Sequence, residues 1–213
     1  MSDRTTVHLL RHGEVHNPTG VLYGRLEDFH LSDLGRAMAE RVGEYLSGRD
    51  IAAVYASPLE RAQETALPIA AAHSLDIRTN VDLIEAANVF EGQRVSVGDG
   101  VLRKPSTWRH LYNPFTPSWG EPYVDVAGRM RAAIAAAREG ARGHEAVCVS
   151  HQLPIWIARL DAEQRRFVHD PRKRQCSLAS LTSLTFDHDR LVSITYSEPV
   201  ADLVERSSKG VGA

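Results

Sequence analysis

Cysteine is scarce in this chain: two residues in 213, Cys148 and Cys176, far apart in sequence. That excludes a disulfide-stapled scaffold and a C-x-x-C redox or zinc pair, and leaves two core thiols of the kind a cytoplasmic protein keeps reduced. An excess of charge of either sign is also missing. Lys and Arg number 25 against 27 Asp and Glu, a net charge of -2, so nothing draws the chain as a whole toward nucleic acid or an anionic membrane. No apolar run approaches the ~20 residues needed to span a bilayer. The alanine-rich stretch at 132–137 is bracketed by arginines. The first residues, Met1-Ser2-Asp3-Arg4, lead almost at once into a strand-like segment, the pattern of a cytoplasmic protein without a secretory signal. Internal repeats, low-complexity tracts and linkers are absent.

What is there is ordinary globular material, 43% hydrophobic and 24% charged. Against a prior of ~150 residues per domain, the length suits one generous domain, and a chain of this size buries roughly 70% of its unfolded surface, enough for a core without staples. Short apolar runs at 5–10, 51–55 and 146–149 read as buried strands of a mostly parallel sheet. A helix is predicted over 32–46, with Ser32 as cap, Leu34, Met38, Val42 and Tyr45 on one face and Gly48 as the stop. Ser57-Pro58-Leu59-Glu60 has the form of a capping box with proline at the first helical position, opening a helix through Leu59, Ala62, Ala66 and Ile69. A further helix is expected over 123–139, and a late hairpin from 178–186 and 191–196. The fold class is therefore α/β: one three-layer domain over 1–213, its mostly parallel central sheet flanked by helices, with a frayed tail at 207–213.

The chemistry follows the strands. In open α/β sheets ligands collect outside the carboxyl ends of the strands. Here those ends deliver Arg11-His12, then Ser57 with Arg61, then Ser150-His151. Two arginines and two histidines in one crevice suit a dianionic phosphoryl group: arginine presents a planar fork of donors, and a helix N-terminus adds partial positive charge. An imidazole nitrogen can then attack phosphorus and split one hard displacement into two. A metal site is the rival reading, because His8, His12 and His16 recur at every fourth position. On a strand that spacing spans about 13 Å, too far for one ion, and no H-E-x-x-H is present.

Arg11-His12-Gly13-Glu14, Ser57-Pro58-Leu59 with Arg61-Ala62 and Thr65-Ala66, and Val149-Ser150-His151 resemble the histidine phosphatase superfamily, the phosphoglycerate mutase-like fold. The resemblance covers most of the chain, including Gly24, Asp28, Leu31, Ser32 and Gly35 ahead of the first helix. It implies His12 as nucleophile, Arg11, Arg61 and His151 as the phosphate pocket, Asn17 as an added donor, and no cofactor or metal. The stretch from Leu83-Ile84-Glu85 to Glu91-Gly92 is similar to the acidic motif of the phosphatase branch, with Glu85 as proton donor and Glu91 in reserve. Gln152 follows His151 where the family usually has glycine.

The expected function is hydrolysis of a small organic phosphomonoester through a phosphohistidine, His151 serving catalysis as well as phosphate binding. The alternatives are a phosphoglycerate mutase-type phosphotransferase and a phospho-ligand binding protein without chemistry. Specificity is expected from residues 93–121, a lid or insertion carrying Trp108, Trp119, Tyr112, Phe115 and the cations Arg94, Arg103, Lys104 and Arg109. The basic run Arg172-Lys173-Arg174, with Arg165-Arg166 before it, reads as a solvated face.

Overall fold

Val7, Leu9 and Leu10 are fully buried, but on opposite sides of one strand. Val7 and Leu9 join one core cluster and Leu10 the other. The same alternation holds in the strands beside it, where Ala53, Tyr55, Ala146 and Cys148 enter the first cluster and Val54, Ala56, Val147 and Val149 the second. Strands covered on both faces read as continuous apolar runs. The computed structural model describes residues 4–94 and 120–207. Most of 93–121, and the tail beyond Ser207, lie outside these, so the lid and frayed-tail expectations fall outside the described residues.

In chain order the strands are β1 Arg4–Arg11, β2 Ile51–Ala56, β3 Ile77–Thr79, β4 Glu145–Ser150, β5 Leu181–Asp187 and β6 Arg190–Ser197. They form one sheet in the order β3-β2-β4-β1-β5-β6. The first four are parallel, and the late hairpin β5–β6 adds to β1 antiparallel. The helices among the described residues are α1 Asp33–Leu46, α2 Glu60–His73, α3 Tyr123–Gly140, α4 Gln152–Ala162 and the short α5 Ala201–Val204. α1 and α2 supply Met38, Val42, Ala66 and Ile69 to one core cluster, α3 and α4 supply Val126, Met130, Ile155 and Leu160 to the other. The sheet thus lies between two helical layers, a single α/β domain as its apolar pattern requires.

α1 starts where Ser32 accepts a hydrogen bond from the Gly35 amide and ends at Leu46, two residues before Gly48. Ser57 corrects the capping-box expectation. α2 begins at Glu60 with Leu59 at its cap, and no side chain caps it. Pro58 therefore precedes the helix, and the Ser57 hydroxyl meets the Leu59 amide only at 3.4 Å.

Away from the strand ends that carry the site, Nε2 of His8 lies 2.9 Å from Oε2 of Glu145, and Arg49 reaches both carboxylate oxygens, Nε at 2.6 Å and Nη2 at 2.8 Å. Burial opposes ionisation of Glu145; the hydrogen bonds from His8 and Arg49 outweigh it and hold the carboxyl at about 2. A carboxyl depressed in the folded state contributes stability that is complete above its ordinary value of 4.5 and lost as pH falls toward 2. Glu145→Gln should therefore lower stability at pH 7 by on the order of 2 kcal/mol and flatten the fall of Tm on acidification. An unchanged Tm at pH 7 would show that the cluster stabilises nothing.

Candidate active site

The carboxyl ends of β2, β4 and β1 lie side by side, in register at Ala56 with Val149 and at Arg11 with Ser150. His12 donates its backbone N–H to Ser150 O at 3.1 Å, and Ser57 to Val149 O at 2.9 Å. The three segments that follow these strands therefore leave the sheet at one height. Gly13 is fixed by close approach, since a Cβ there would lie 2.6 Å from the carbonyl oxygen of Gly35 at the start of α1. The hydroxyl of Thr65 accepts from the Gly13 amide at 3.1 Å and donates to Arg61 O at 2.7 Å, tying the loop of His12 to the helix of Arg61.

His12, Ser57, Arg61 and His151 are fully buried. Nδ1 of His12 is 2.8 Å from the Gly13 carbonyl. A carbonyl only accepts, so Nδ1 carries the proton and Nε2 keeps its lone pair. Burial, then the charges of Arg61 and Arg11, hold His12 well below the ordinary 6.5, against the opposing Gly13 bond. The ring of His151 stands 5.1 Å from that of His12, centroid to centroid. Its Nε2 is 2.8 Å from the Ser57 hydroxyl, and burial, with Arg61 next, depresses it in the same way.

Arg61 donates from Nη2 to Gly24 O, and its guanidinium sits 4.7 Å over the ring of Tyr23. Arg11 donates from Nη1 to Cys176 O at 2.8 Å. Glu85 accepts the Ala86 amide on Oε1 at 2.8 Å. Burial raises its carboxyl above 4.5, opposed by that amide and by Arg61, Arg174 and Arg11. The groups have unmet demand in common. Nε of Arg11, Nε2 of His12, Nε and Nη1 of Arg61, Nδ1 of His151 and Oε2 of Glu85 are buried with no hydrogen-bond partner among the described residues. Buried polar atoms are normally satisfied. Four arginine and histidine residues left unsatisfied around one space, with a carboxyl beside them, can receive a phosphoryl group, attack it and donate a proton to its leaving group.

Arg11, His12, Arg61, Glu85 and His151 act on one another in a single buried site. Asn17 orders its own loop, donating one amide hydrogen to Val21 O at 2.8 Å and accepting the Val21 amide at 3.3 Å, and keeps a second amide hydrogen. Glu91 takes the backbone amides of Arg25 and Asn88 on Oε1, at 3.1 and 3.2 Å, the work of a loop-capping carboxylate. Of the basic run, Arg172 and Lys173 are exposed as expected, whereas Arg174 is not wholly solvated. A 3₁₀ turn over Pro171–Lys173, capped by Asp170, carries Arg174 inward, where its charge acts on Glu85.

Sequence reasoning missed Tyr23, which no motif marks, and the bracing of Glu85. The Ser150 hydroxyl donates to Leu83 O at 2.7 Å, Arg129 to Ile84 O at 2.6 Å and Arg25 to Glu85 O at 2.6 Å. Both arginines also grip Glu121. Only Ser150, inside the Val149-Ser150-His151 motif, carried a signal in the sequence.

The sequence profile of the histidine phosphatase superfamily (branch 1) matches residues 7–199. The chain is 61% identical over 201 residues to the Mycobacterium tuberculosis protein Rv0525, covering 94% of this chain and 100% of that one. It is 31% identical over 153 residues to phosphoserine phosphatase 1 of Hydrogenobacter thermophilus, covering 69% and 71% respectively. Among solved structures, YhfR of Bacillus stearothermophilus superposes with a TM-score of 0.77 at 23% identity, over 93% of this chain and 99% of that one.

Proposed function

Because the chain belongs to the histidine phosphatase superfamily, branch 1, we propose that it hydrolyses a small organic phosphomonoester through a phosphohistidine on His12. One observation carries this reading: the Gly13 carbonyl fixes the proton on Nδ1 and leaves Nε2 of His12 buried and, among the described residues, without a partner, beside Arg11, Arg61 and His151. Arg11 and Arg61 hold the equatorial phosphoryl oxygens. Nε2 of His12 attacks phosphorus, the bond from phosphorus to the leaving oxygen breaks, and Glu85 gives that oxygen its proton. Water then attacks the phosphohistidine, Glu85 takes the water's proton, the P–N bond breaks, and inorganic phosphate leaves with His12 restored. His151 stabilises the transferring group from Nδ1. Asn17, whose amide keeps one hydrogen beyond its bond to Val21 O, serves as an added donor to the phosphate, and residues 93–121 are assigned to substrate selection.

The charge needed at phosphorus is supplied by side chains, so the reaction should run without added metal or a bisphosphorylated cofactor. No helix among the described residues is long and apolar enough to cross a membrane. Two buried free thiols, Cys148 pushed up to about 12 and Cys176 to about 11 by desolvation, fit the cytoplasmic placement we propose. The test is a panel of phosphorylated metabolites assayed for phosphate release, with and without chelator and 2,3-bisphosphoglycerate. Release that ignores both is expected. Phosphoryl transfer that requires the bisphosphate would favour the mutase, and complete inactivation by chelator would overturn the scheme.

Arg61 offers a sharper check on the pocket. Its fork serves Gly24 O with one nitrogen and leaves Nε and Nη1 for phosphate oxygens. Lysine keeps the charge and loses the fork. A charge-assisted hydrogen bond is worth ~1.5 to 3 kcal/mol, so Arg61→Lys should cut kcat/KM by roughly tenfold to a hundredfold. An unchanged kcat/KM would place Arg61 outside the pocket.

A further inference from the structure

Four successive carbonyls, from Asp82 to Glu85, each accept a side chain from a distant part of the fold. Asp82 O and Ile84 O take Nη1 of Arg129, at 2.7 and 2.6 Å, Leu83 O takes the Ser150 hydroxyl at 2.7 Å, and Glu85 O takes Nε of Arg25 at 2.6 Å. The donors come from α3, from the end of β4 and from the residue after Gly24, whose own carbonyl accepts Arg61. Glu121 joins two of them. Its Oε2 accepts Nη2 of Arg25 at 2.8 Å and Nη2 of Arg129 at 3.1 Å, and its Oε1 accepts Nε of Arg129 at 2.9 Å. The Glu121 amide donates to Ala87 O at 3.0 Å. Gly120 permits that approach, since a Cβ there would lie 2.7 Å from the same oxygen.

The carboxyl of Glu85 depends on this frame. Its Oε1 is bonded to the amide of the next residue, Ala86, and its Oε2 has no hydrogen-bond partner among the described residues. The place of the carboxyl therefore follows the main chain. A general acid works only within hydrogen-bond reach of the oxygen it protonates, and an ångström of misplacement can cost on the order of a hundredfold. On the premise of the phosphatase reading, we propose that Glu121 is a positioning residue for proton transfer: with Arg25 and Arg129 it fixes the main chain of Glu85 so that the carboxyl meets the leaving oxygen. Glutamine at 121 would break the frame with little change of shape, because an amide has one acceptor oxygen where the carboxylate has two, and its NH₂ would face an arginine donor. Arg11, His12 and Arg61 are bonded to Cys176, Gly13 and Gly24 rather than to Glu121, so the attack on phosphorus keeps its geometry.

The experiment measures kcat/KM on para-nitrophenyl, phenyl and benzyl phosphate, whose leaving oxygens rise in basicity. This constant covers the steps through departure of the leaving group, so hydrolysis of the phosphohistidine does not enter it. Glu121→Gln should lose roughly tenfold to a hundredfold on benzyl phosphate and less than about threefold on para-nitrophenyl phosphate. In the Glu85→Gln background it should cost less than about threefold on benzyl phosphate too, because the proton it positions is gone. Arg25→Met removes the hold on Glu85 O and leaves Glu121 paired with Arg129. It should show the same pattern on a smaller scale, and it decides the matter if Glu121→Gln does not fold. No loss on benzyl phosphate, equal losses on the three esters, or a loss that adds to that of Glu85→Gln overturns the positioning role and leaves the phosphatase reading standing. A wild type inert on all three esters removes both.

Discussion

His12→Ala should reduce kcat/KM on any phosphomonoester by roughly 10⁴-fold or more, the scale of losing a nucleophile for which nothing nearby substitutes. The candidates to replace it are poorly placed. His151 is the nearest imidazole, but its Nε2 is engaged by Ser57, and the tie from Thr65 to Gly13 that fixes the attacking loop serves His12 alone. The measurement is steady-state hydrolysis of para-nitrophenyl phosphate, with far-UV circular dichroism confirming the fold. The leaving group of that ester needs no proton, so the loss isolates the attack. A His12→Ala enzyme within a hundredfold of wild type would mean that water attacks phosphorus directly or that another residue is the nucleophile.

Glu85→Gln should separate substrates by the basicity of the oxygen that leaves. An alkoxide departing from an alkyl phosphate needs the proton, and general acid catalysis is worth roughly a hundredfold to ten-thousandfold where it operates. A nitrophenolate leaves without it. The variant should therefore lose on that scale with alkyl phosphates and far less with para-nitrophenyl phosphate, while glutamine retains an oxygen to accept the Ala86 amide. The pH profile adds a second reading. Burial raises Glu85 above 4.5 and holds His12 below 6.5, so the free enzyme carries a proton on the acid and none on Nε2 across a window displaced to the acid side. The rate on alkyl phosphates should fall as pH rises through the raised Glu85 value, and that alkaline limb should vanish in Glu85→Gln. Should Glu91→Gln instead show the dependence on leaving group, the proton donor is Glu91, despite the two backbone amides its carboxylate accepts.

The legible part of this protein is the part set by local rules. Burial on both faces makes β1, β2 and β4 continuous apolar runs, and the residues that follow them, Arg11-His12, Ser57 and Ser150-His151, mark the site because strand ends are where such sheets present side chains. What could not be read from local pattern depends on contacts distant in sequence. Nothing in 146–149 states that β4 inserts between β1 and β2, the step that brings His151 beside His12. Ser57 has the form of a helix cap, yet its hydroxyl lies 2.8 Å from His151, 94 residues away. Arg174 sits in a basic run that charge patterning assigns to solvent, and a single 3₁₀ turn points it inward. Asn17 stands one residue closer to Gly13 than the family spacing, and the bond from its amide to Val21 O, which orders its loop, is not legible in the sequence. Glu85 is chosen over Glu91 from the acidic motif; that its Oε2 is buried without a hydrogen-bond partner among the described residues is a property of the folded chain alone.

The central claim, two successive displacements at phosphorus through a covalent intermediate, has a direct stereochemical test. Each in-line displacement inverts the phosphorus centre, so an enzyme that passes the phosphoryl group first to Nε2 of His12 and then to water inverts it twice. With a phosphorothioate monoester made chiral at phosphorus by sulfur and two oxygen isotopes, and turnover in water of the third isotope, the inorganic thiophosphate released should show net retention of configuration. Net inversion would mean a single displacement by water and would contradict the phosphohistidine outright.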